Sequence, residues 1–343
     1  MERYAHGGDI YSGLPVKLDF SVNLNPFGMP EKVKEALVSQ LDSFQTYPDP
    51  QCRLLCASLG EHHRIPRENL LCGNGADDLI YRLCFVLRPQ EVLVCAPGFS
   101  EYERAALAAR AQVRYHKLKE EDGFLLTEAI LPEICEKTNL LFLCSPNNPT
   151  GKLIPMPLLE KILKRCQEMG TYLLLDECFI DFTSSETALS LMEQFPRLLI
   201  LRAFTKLYAV AGLRLGYLIS RDMDILSQMQ QIAPCWSVSG PAQAAGVAAL
   251  QCSGVKERLL RLLEQERPRV TEQLQKLGFQ VWDSDCNFIL FRGDPALGEK
   301  LREKGIAIRD CSNYSGLTAG FWRIGLKTPE ENNILLQSIG EVC

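Results

Sequence analysis

The chain has 343 residues, 46% hydrophobic and 23% charged, with 37 Lys and Arg against 42 Asp and Glu for a formal net charge of -5. That length suits two unequal domains better than one simple core. The charge balance excludes a broad basic face for nucleic acid or an acidic membrane surface, so a bound anion must be caught by a few placed cations.

The segment Met1 to His6 lacks the apolar run of a secretory leader. No later stretch approaches the roughly 20 apolar residues of a membrane span. The following His6-Gly7-Gly8-Asp9-Ile10-Tyr11, taken alone, reads as a loose tail. A helix is predicted from Glu31 to Leu41, packing against the C-terminal part of the chain. Cys72-Gly73-Asn74-Gly75-Ala76-Asp77 is a Gly-rich turn feeding a helix to about Leu87, and exposed N–H groups at a helix start favour anions.

From about residue 70 apolar runs alternate with helical patterns. Glu91–Cys95, Gln112–His116, Leu140–Cys144, Tyr172–Asp176, Leu198–Leu201 and Leu215–Ile219 read as strands, most of them apolar throughout, as expected of strands covered on both faces. The helical pattern from Pro157 to Met169 stops at Gly170. This alternation predicts an α/β domain with a largely parallel sheet. After Pro241 come a long helix, Val255 to Leu277, and two short strands, Asn287–Arg292 and Phe321–Leu326, a smaller α+β unit. The predicted division is a large domain over residues 45–240 and a small one built from residues 1–44 and 241–343.

The fourteen cysteines are scattered. Cys95 and Cys144 sit inside strand-like runs, and Cys52 and Cys56 have no histidine nearby. Buried free thiols in a reducing compartment are expected rather than disulfides or zinc, which predicts a cytoplasmic protein without a metal site.

Four signals carry chemistry. Asp176 ends an apolar strand, where α/β sheets open onto their ligand crevice. Asn147-Asn148-Pro149-Thr150-Gly151 follows another strand at the same rim. Arg202-Ala203-Phe204-Thr205-Lys206 follows a third, with Arg214 eight residues on. The Gly73-Asn74-Gly75 turn is the fourth. Each alone has an ordinary reading as cap, turn or solvated cation. Together they supply a phosphate cradle, a donor for a phenolic oxygen, a carboxylate for a ring nitrogen and an amine for an aldehyde, the needs of pyridoxal 5'-phosphate.

In this order the motifs resemble the fold-type I aminotransferases, and within them the branch containing histidinol-phosphate aminotransferase, from Asn25-Pro26 to Arg323. The resemblance implies a fold-type I α/β architecture with Lys206 and Asp176 as catalytic residues. Lys206 would carry the cofactor, and Asp176 would keep its ring nitrogen protonated. Asn148 would donate to the ring oxygen and Phe99 would stack on the ring. Gly75, Ala76, Asp77, Thr205 and Arg214 would hold the phosphate, joined by Tyr47 from a partner subunit, which implies a homodimer. Arg323 would grip a substrate carboxylate. Two departures stand out: Phe179 replaces a common tyrosine, and Ala203 replaces a serine or threonine.

The His6-Gly7-Gly8 motif, Asp19–Pro26, Pro97–Tyr102, Asp176–Phe182 and Arg309–Tyr314 are similar to a decarboxylating branch of the same family. It acts on a small phosphorylated amino acid, forming from threonine phosphate the aminopropanol phosphate of cobalamin assembly, and serine phosphate, one methyl smaller, stays open as a substrate. That implies His6, Gly7, Gly8, Asn25, Asn148, Arg309 and Arg323 as substrate-binding residues. Transamination of histidinol phosphate is the alternative, and a non-catalytic cofactor-binding module is a third.

Overall fold

The computed structural model describes residues 6–343; residues 1–5, on which part of the leader argument rests, lie outside them. A short strand β1 (Leu18–Asp19) leads to helix α1 (Glu31–Ser39) and helix α2 (Arg53–His63). The large sheet then begins with β2 (Leu70–Gly73), followed by α3 (Ala76–Leu87), β3 (Glu91–Ala96), α4 (Ser100–Ala108) and β4 (Gln112–Lys117). Next come β5 (Thr138–Cys144), α5 (Met156–Met169), β6 (Tyr172–Asp176) and β7 (Leu198–Ala203). The one-turn helix α6 (Phe204–Leu207), β8 (Gly216–Ser220), α7 (Met223–Gln231) and α8 (Gly240–Leu250) complete this part.

The seven strands are ordered β2-β8-β7-β6-β5-β3-β4. Pairing is parallel from β7 through to β4, while β8 runs antiparallel to both β7 and β2. Alternate residues of each strand enter different cores. Leu141, Leu143, Leu173, Leu175 and Ile200 pack with α2, α5 and α8 on one face, and Leu140, Phe142, Leu174, Leu199 and Leu201 pack with α3, α4 and α7 on the other. Both faces being covered is why the runs are apolar throughout rather than alternating. Helix α5 shows the matching helical pattern: Leu159, Ile162, Leu163 and Cys166 form its buried stripe, and Gly170 in left-handed backbone ends it. Removing one such leucine side chain would cost about 2–5 kcal/mol.

Helix α9 (Val255–Lys276) opens the smaller unit, followed by β9 (Gln280–Trp282), β10 (Phe288–Arg292), α10 (Leu297–Glu303), β11 (Ile306–Ala307), β12 (Arg309–Asp310), β13 (Phe321–Gly325) and α11 (Pro329–Val342). Its antiparallel sheet is ordered β12-β13-β10-β9, and β1 pairs in parallel with β11. Phe20, Leu259, Phe288, Phe291, Trp322 and Ile339 share its core. The α/β class with a mainly parallel large sheet and a smaller α+β unit is therefore the observed architecture.

One expectation fails. Helix α1 does pack on α8, which falls within the predicted small domain, but both join the core under the large sheet, Val33 with Ala242 and Ala245, so residues 1–44 and 241–343 do not share one core. Helix α1 offers a narrow apolar face with Val33 buried, and the sequence does not say which core receives it. Only the stretch around β1 and Phe20 joins the small unit.

A charge cluster in the large unit extends one ion pair to α9 of the smaller one. Arg202 on β7 donates to Glu177 at 3.3 Å and to Asp181 at 2.8 Å, and Lys256 at the start of α9 lies 3.7 Å from Asp181. Among the described residues all fourteen cysteines are free, no helix is long and apolar enough to cross a membrane, and no cluster is suited to a metal ion.

Candidate active site

The loops at the carboxyl ends of the parallel strands, together with β12, β13 and the N-terminal segment, enclose one pocket. Asp176 ends β6, Asn148 follows β5, Phe99 follows β3, and Thr205 and Lys206 sit on α6 directly after β7; all line it. Arg309 on β12 and Arg323 on β13 sit side by side in register on the opposite wall. His6, Gly7 and Ser21 to Asn23 close a third side.

The pocket favours one nucleophile. Burial and the charge of Arg323 push the Lys206 amine down to about 8. Burial pushes the thiols of Cys144 and Cys178 well up, so both stay protonated. Burial also raises the Asp176 carboxyl, against the N–H of Cys178 at 2.8 Å and the hydroxyl of Tyr102 at 2.6 Å, which donate to its two oxygens. Burial and then the Asp176 charge hold the Tyr102 phenol well above its ordinary range, so it remains the donor. Asp176 makes no ion pair among the described residues, so a cation placed against it would offset its desolvation.

The amide of Asn148 is oriented by two donors to its Oδ1, Arg323 Nη1 and the Tyr314 hydroxyl at 3.3 Å. Its NH2 therefore faces away from both. Arg323 also donates from Nη2 to the Ser21 carbonyl at 2.8 Å, while its Nε is buried without a hydrogen bond. Asn23 Oδ1 is likewise buried and unbonded. Orphaned buried polar atoms are rare in folded proteins, and two of them belong to residues on the wall of this pocket.

At the other end, Gly75 caps α3 with φ 84° and ψ 169°, a conformation reserved for glycine. A Cβ there would lie 2.6 Å from Arg214 Nη2. Arg214 pairs with Asp77 at 3.0 Å, and Ala76, Asp77, Ala203 and Thr205 line the pocket beside it. Backbone N–H groups at a helix start with a guanidinium alongside form a ready anion site.

Three residues expected from the sequence lie elsewhere in this chain. Tyr47 is 76% exposed and stacks on Trp236 with ring centroids 4.2 Å apart. Asn25 is buried behind α6, donating to the Leu207 carbonyl at 2.8 Å and accepting from the Phe27 N–H, so its amide is occupied in shaping the loop. Gly8 does not line the pocket; its N–H donates to Ser21 Oγ at 2.7 Å. Tyr102, Asn23, Ser21, Tyr314 and Cys178 are pocket residues that the sequence reading did not single out. Tyr102 carried a usable signal, three residues after Phe99 on the first turn of a helix. Asn23 carried none, because its neighbours come from another part of the chain.

Residues 15–339 match the family model described as aminotransferase class I and II. The chain belongs to that family.

Membership makes this chain a pyridoxal-phosphate enzyme, and the pocket fits the cofactor. The buried Asp176 without a cation, the depressed Lys206 and the Gly75 cradle are the three features the group requires. This family member is 38% identical to the threonine-phosphate decarboxylase of Salmonella typhimurium, over 98% of this chain and 96% of that protein. It is 30% identical to the histidinol-phosphate aminotransferase of Methanococcus maripaludis, over 93% of this chain and 88% of that one. Among solved structures, the histidinol-phosphate aminotransferase of Clostridium acetobutylicum superposes with a TM-score of 0.88 at 28% identity, over 95% of this chain and 98% of that one.

Proposed function

We propose that the protein removes carbon dioxide from L-threonine O-3-phosphate and leaves aminopropanol phosphate, as in cobalamin assembly. The observation that carries this reading is the side-by-side pair Arg309 and Arg323, with His6 on the adjoining wall. A phosphorylated amino acid carries two anionic groups, and this wall offers separate cations for them. The identity to the Salmonella decarboxylase along nearly the whole chain supports the same reaction.

In this reading Lys206 and Asp176 are the catalytic residues. Gly75, Ala76, Asp77, Thr205 and Arg214 bind the cofactor phosphate, Phe99 covers the ring, and Asn148 donates to the ring oxygen. Bound pyridoxal phosphate supplies a sink for the electron pair that remains when the carboxylate departs. The chain decides which bond at the substrate Cα breaks by anchoring the other substituents. Arg323 and Arg309 take the phosphate and the carboxylate between them, and Lys206 delivers the proton that replaces carbon dioxide at Cα. Phe99 and the N-terminal segment at His6 and Gly7 limit water.

Tyr47 belongs to the same proposal through a homodimer. Phe44, Tyr47, Pro48, Trp236 and Pro241 line a shallow apolar hollow at the surface, and a second copy seated there would take Tyr47 toward its own cofactor phosphate. The N-terminal segment as far as Phe20 and the residues from Val255 onward would form the small domain, and the rest the large one. A cytoplasmic location fits the free thiols.

The test is direct. Purified holoenzyme with L-threonine O-phosphate should release carbon dioxide in proportion to aminopropanol phosphate, with no keto acid and no need of an amino acceptor. A second reading, transamination of histidinol phosphate, is favoured by the Methanococcus relative. Keto-group formation from histidinol phosphate with 2-oxoglutarate, and no carbon dioxide from threonine or serine phosphate, would decide for it.

A further inference from the structure

We infer that Glu101 is a positioning residue, a buried carboxylate that fixes His6 at the pocket and thereby sets the preference for a phosphate-bearing substrate. The inference rests on the substrate class proposed above.

Glu101 lies in the first turn of α4, between Phe99 and Tyr102, with its side chain 7% exposed. Its Oε1 accepts from His6 Nε2 and from Arg104 Nη1, each at 2.8 Å, and its Oε2 accepts from the Tyr81 hydroxyl at 3.3 Å. Burial pushes this carboxyl up, but the bonds from His6 and Arg104 outweigh it and hold the group below its ordinary value. Arg104 and Tyr81 come from α4 itself and the neighbouring α3. His6 comes from 95 residues away and lines the pocket, so it is the partner whose placement has a consequence for a ligand.

The segment carrying His6 has no helix or strand to hold it. Residues 6–17 are loop, so a few bonds set the position of the ring. Arg302 on α10 donates to the Asp9 carbonyl at 3.0 Å and to the Ser12 carbonyl, which pins the segment to the small unit. Gly8 bonds Ser21 Oγ, and a Cβ on Gly7 would lie 2.2 Å from the Ser21 carbonyl oxygen, the atom that also accepts from Arg323. Glu101 is the hold on the far side, on a helix of the large sheet. With Nε2–H committed to it, and the ring tilted over Phe99 at 5.6 Å, Nδ1 is the nitrogen left to meet a ligand, and it donates to a phosphate when the ring carries both protons. A phosphate gains from a donor held in place, whereas a substrate lacking the phosphate gains nothing from it.

The test uses the holoenzyme and the variants Glu101→Ala, Glu101→Gln, His6→Ala and His6→Ala with each Glu101 change. The readouts are KM for L-threonine O-phosphate, the dissociation constant of L-threonine from the cofactor spectrum, and thermal stability. Losing a bond to a charged group predicts a KM raised roughly ten- to hundredfold for Glu101→Ala, with L-threonine affinity and the cofactor spectrum unchanged. Glu101→Gln, which keeps an acceptor, should fall between. In the His6→Ala background neither Glu101 change should raise KM further. Additive effects in the cycle, or equal loss for threonine and its phosphate, would show that Glu101 only stabilises α4. Should Glu101→Ala not fold, the cycle stands on Glu101→Gln. If the wild type releases no carbon dioxide, the proposed reaction fails, and the same cycle run with histidinol phosphate against histidinol still judges Glu101.

Discussion

A lysine enclosed by aliphatic and aromatic side chains is driven toward its free amine, and Lys206 sits 5.8 Å from the Phe179 ring centre with Arg323 repelling its charge. Below pH 8 the ammonium form cannot attack an aldehyde. Capture of pyridoxal phosphate by the apoprotein should therefore rise with pH, up to about tenfold per unit, and level off above about 8. Absorbance after rapid mixing follows this, and a plateau near the ordinary lysine range would refute it. Lys206→Ala should fold yet lose the protein-linked cofactor absorbance and all turnover, with no borohydride-reducible adduct. Tyr102→Phe removes a donor to Asp176 while keeping the ring stack on Phe142 at 4.9 Å. Losing a bond to a charged carboxylate should weaken cofactor affinity by about tenfold or more; unchanged affinity by equilibrium titration would mean that Cys178 N–H suffices. Lys206 and Asp176 were readable because each ends or follows a strand, and Arg214 because it stands eight residues beyond Lys206, and all three have chemistry that a structural role rarely needs. Tyr102 and Asn23 were not, because their roles depend on neighbours distant in the chain.

At the scale of elements, the cradle before α3 depends on a single backbone conformation. Gly75→Ala would force a Cβ into the Arg214 guanidinium and strain the backbone by about 1–3 kcal/mol. The expected result is a folded protein with a lower melting temperature and a larger loss in affinity for pyridoxal phosphate than for pyridoxal, whose binding needs no cradle. Equal losses for the two would place the phosphate elsewhere. The six strand runs read from the sequence match the structure within two residues at each end; most carry the apolar signal of strands buried on both faces, while the edge strand β4 is polar at Gln112, Arg114, His116 and Lys117. The short strands β1, β9, β11 and β12 gave no such signal; two or three residues are too few for a period. The antiparallel course of β8 was also invisible, since an apolar run reads the same in either direction.

At the scale of the molecule, the pocket takes its walls from both units and from the N-terminal segment, so its completeness depends on how they meet. Tyr47 and Trp236 stand on the outer surface, stacked and exposed at 76% and 45%. Replacing both with Asp should convert the proposed dimer to monomer by sedimentation or scattering and reduce turnover sharply. A wild type that is monomeric and fully active at assay concentrations would remove Tyr47 from the cofactor site.

Apolar periodicity and strand-end loops are local properties, so the class of fold, the order of its elements and the residues whose chemistry is hard to explain otherwise could all be read from the sequence. It did not determine which core receives α1, where Val33 joined the large sheet instead of the C-terminal unit. Nor did it determine that Asn25 would be consumed by the Leu207 carbonyl while Asn23, two residues earlier, lines the pocket with its Oδ1 unbonded. Those outcomes depend on which surfaces and donors meet across hundreds of residues. Only the packed tertiary structure decides that, by burying one stripe against one core and leaving particular atoms without a partner.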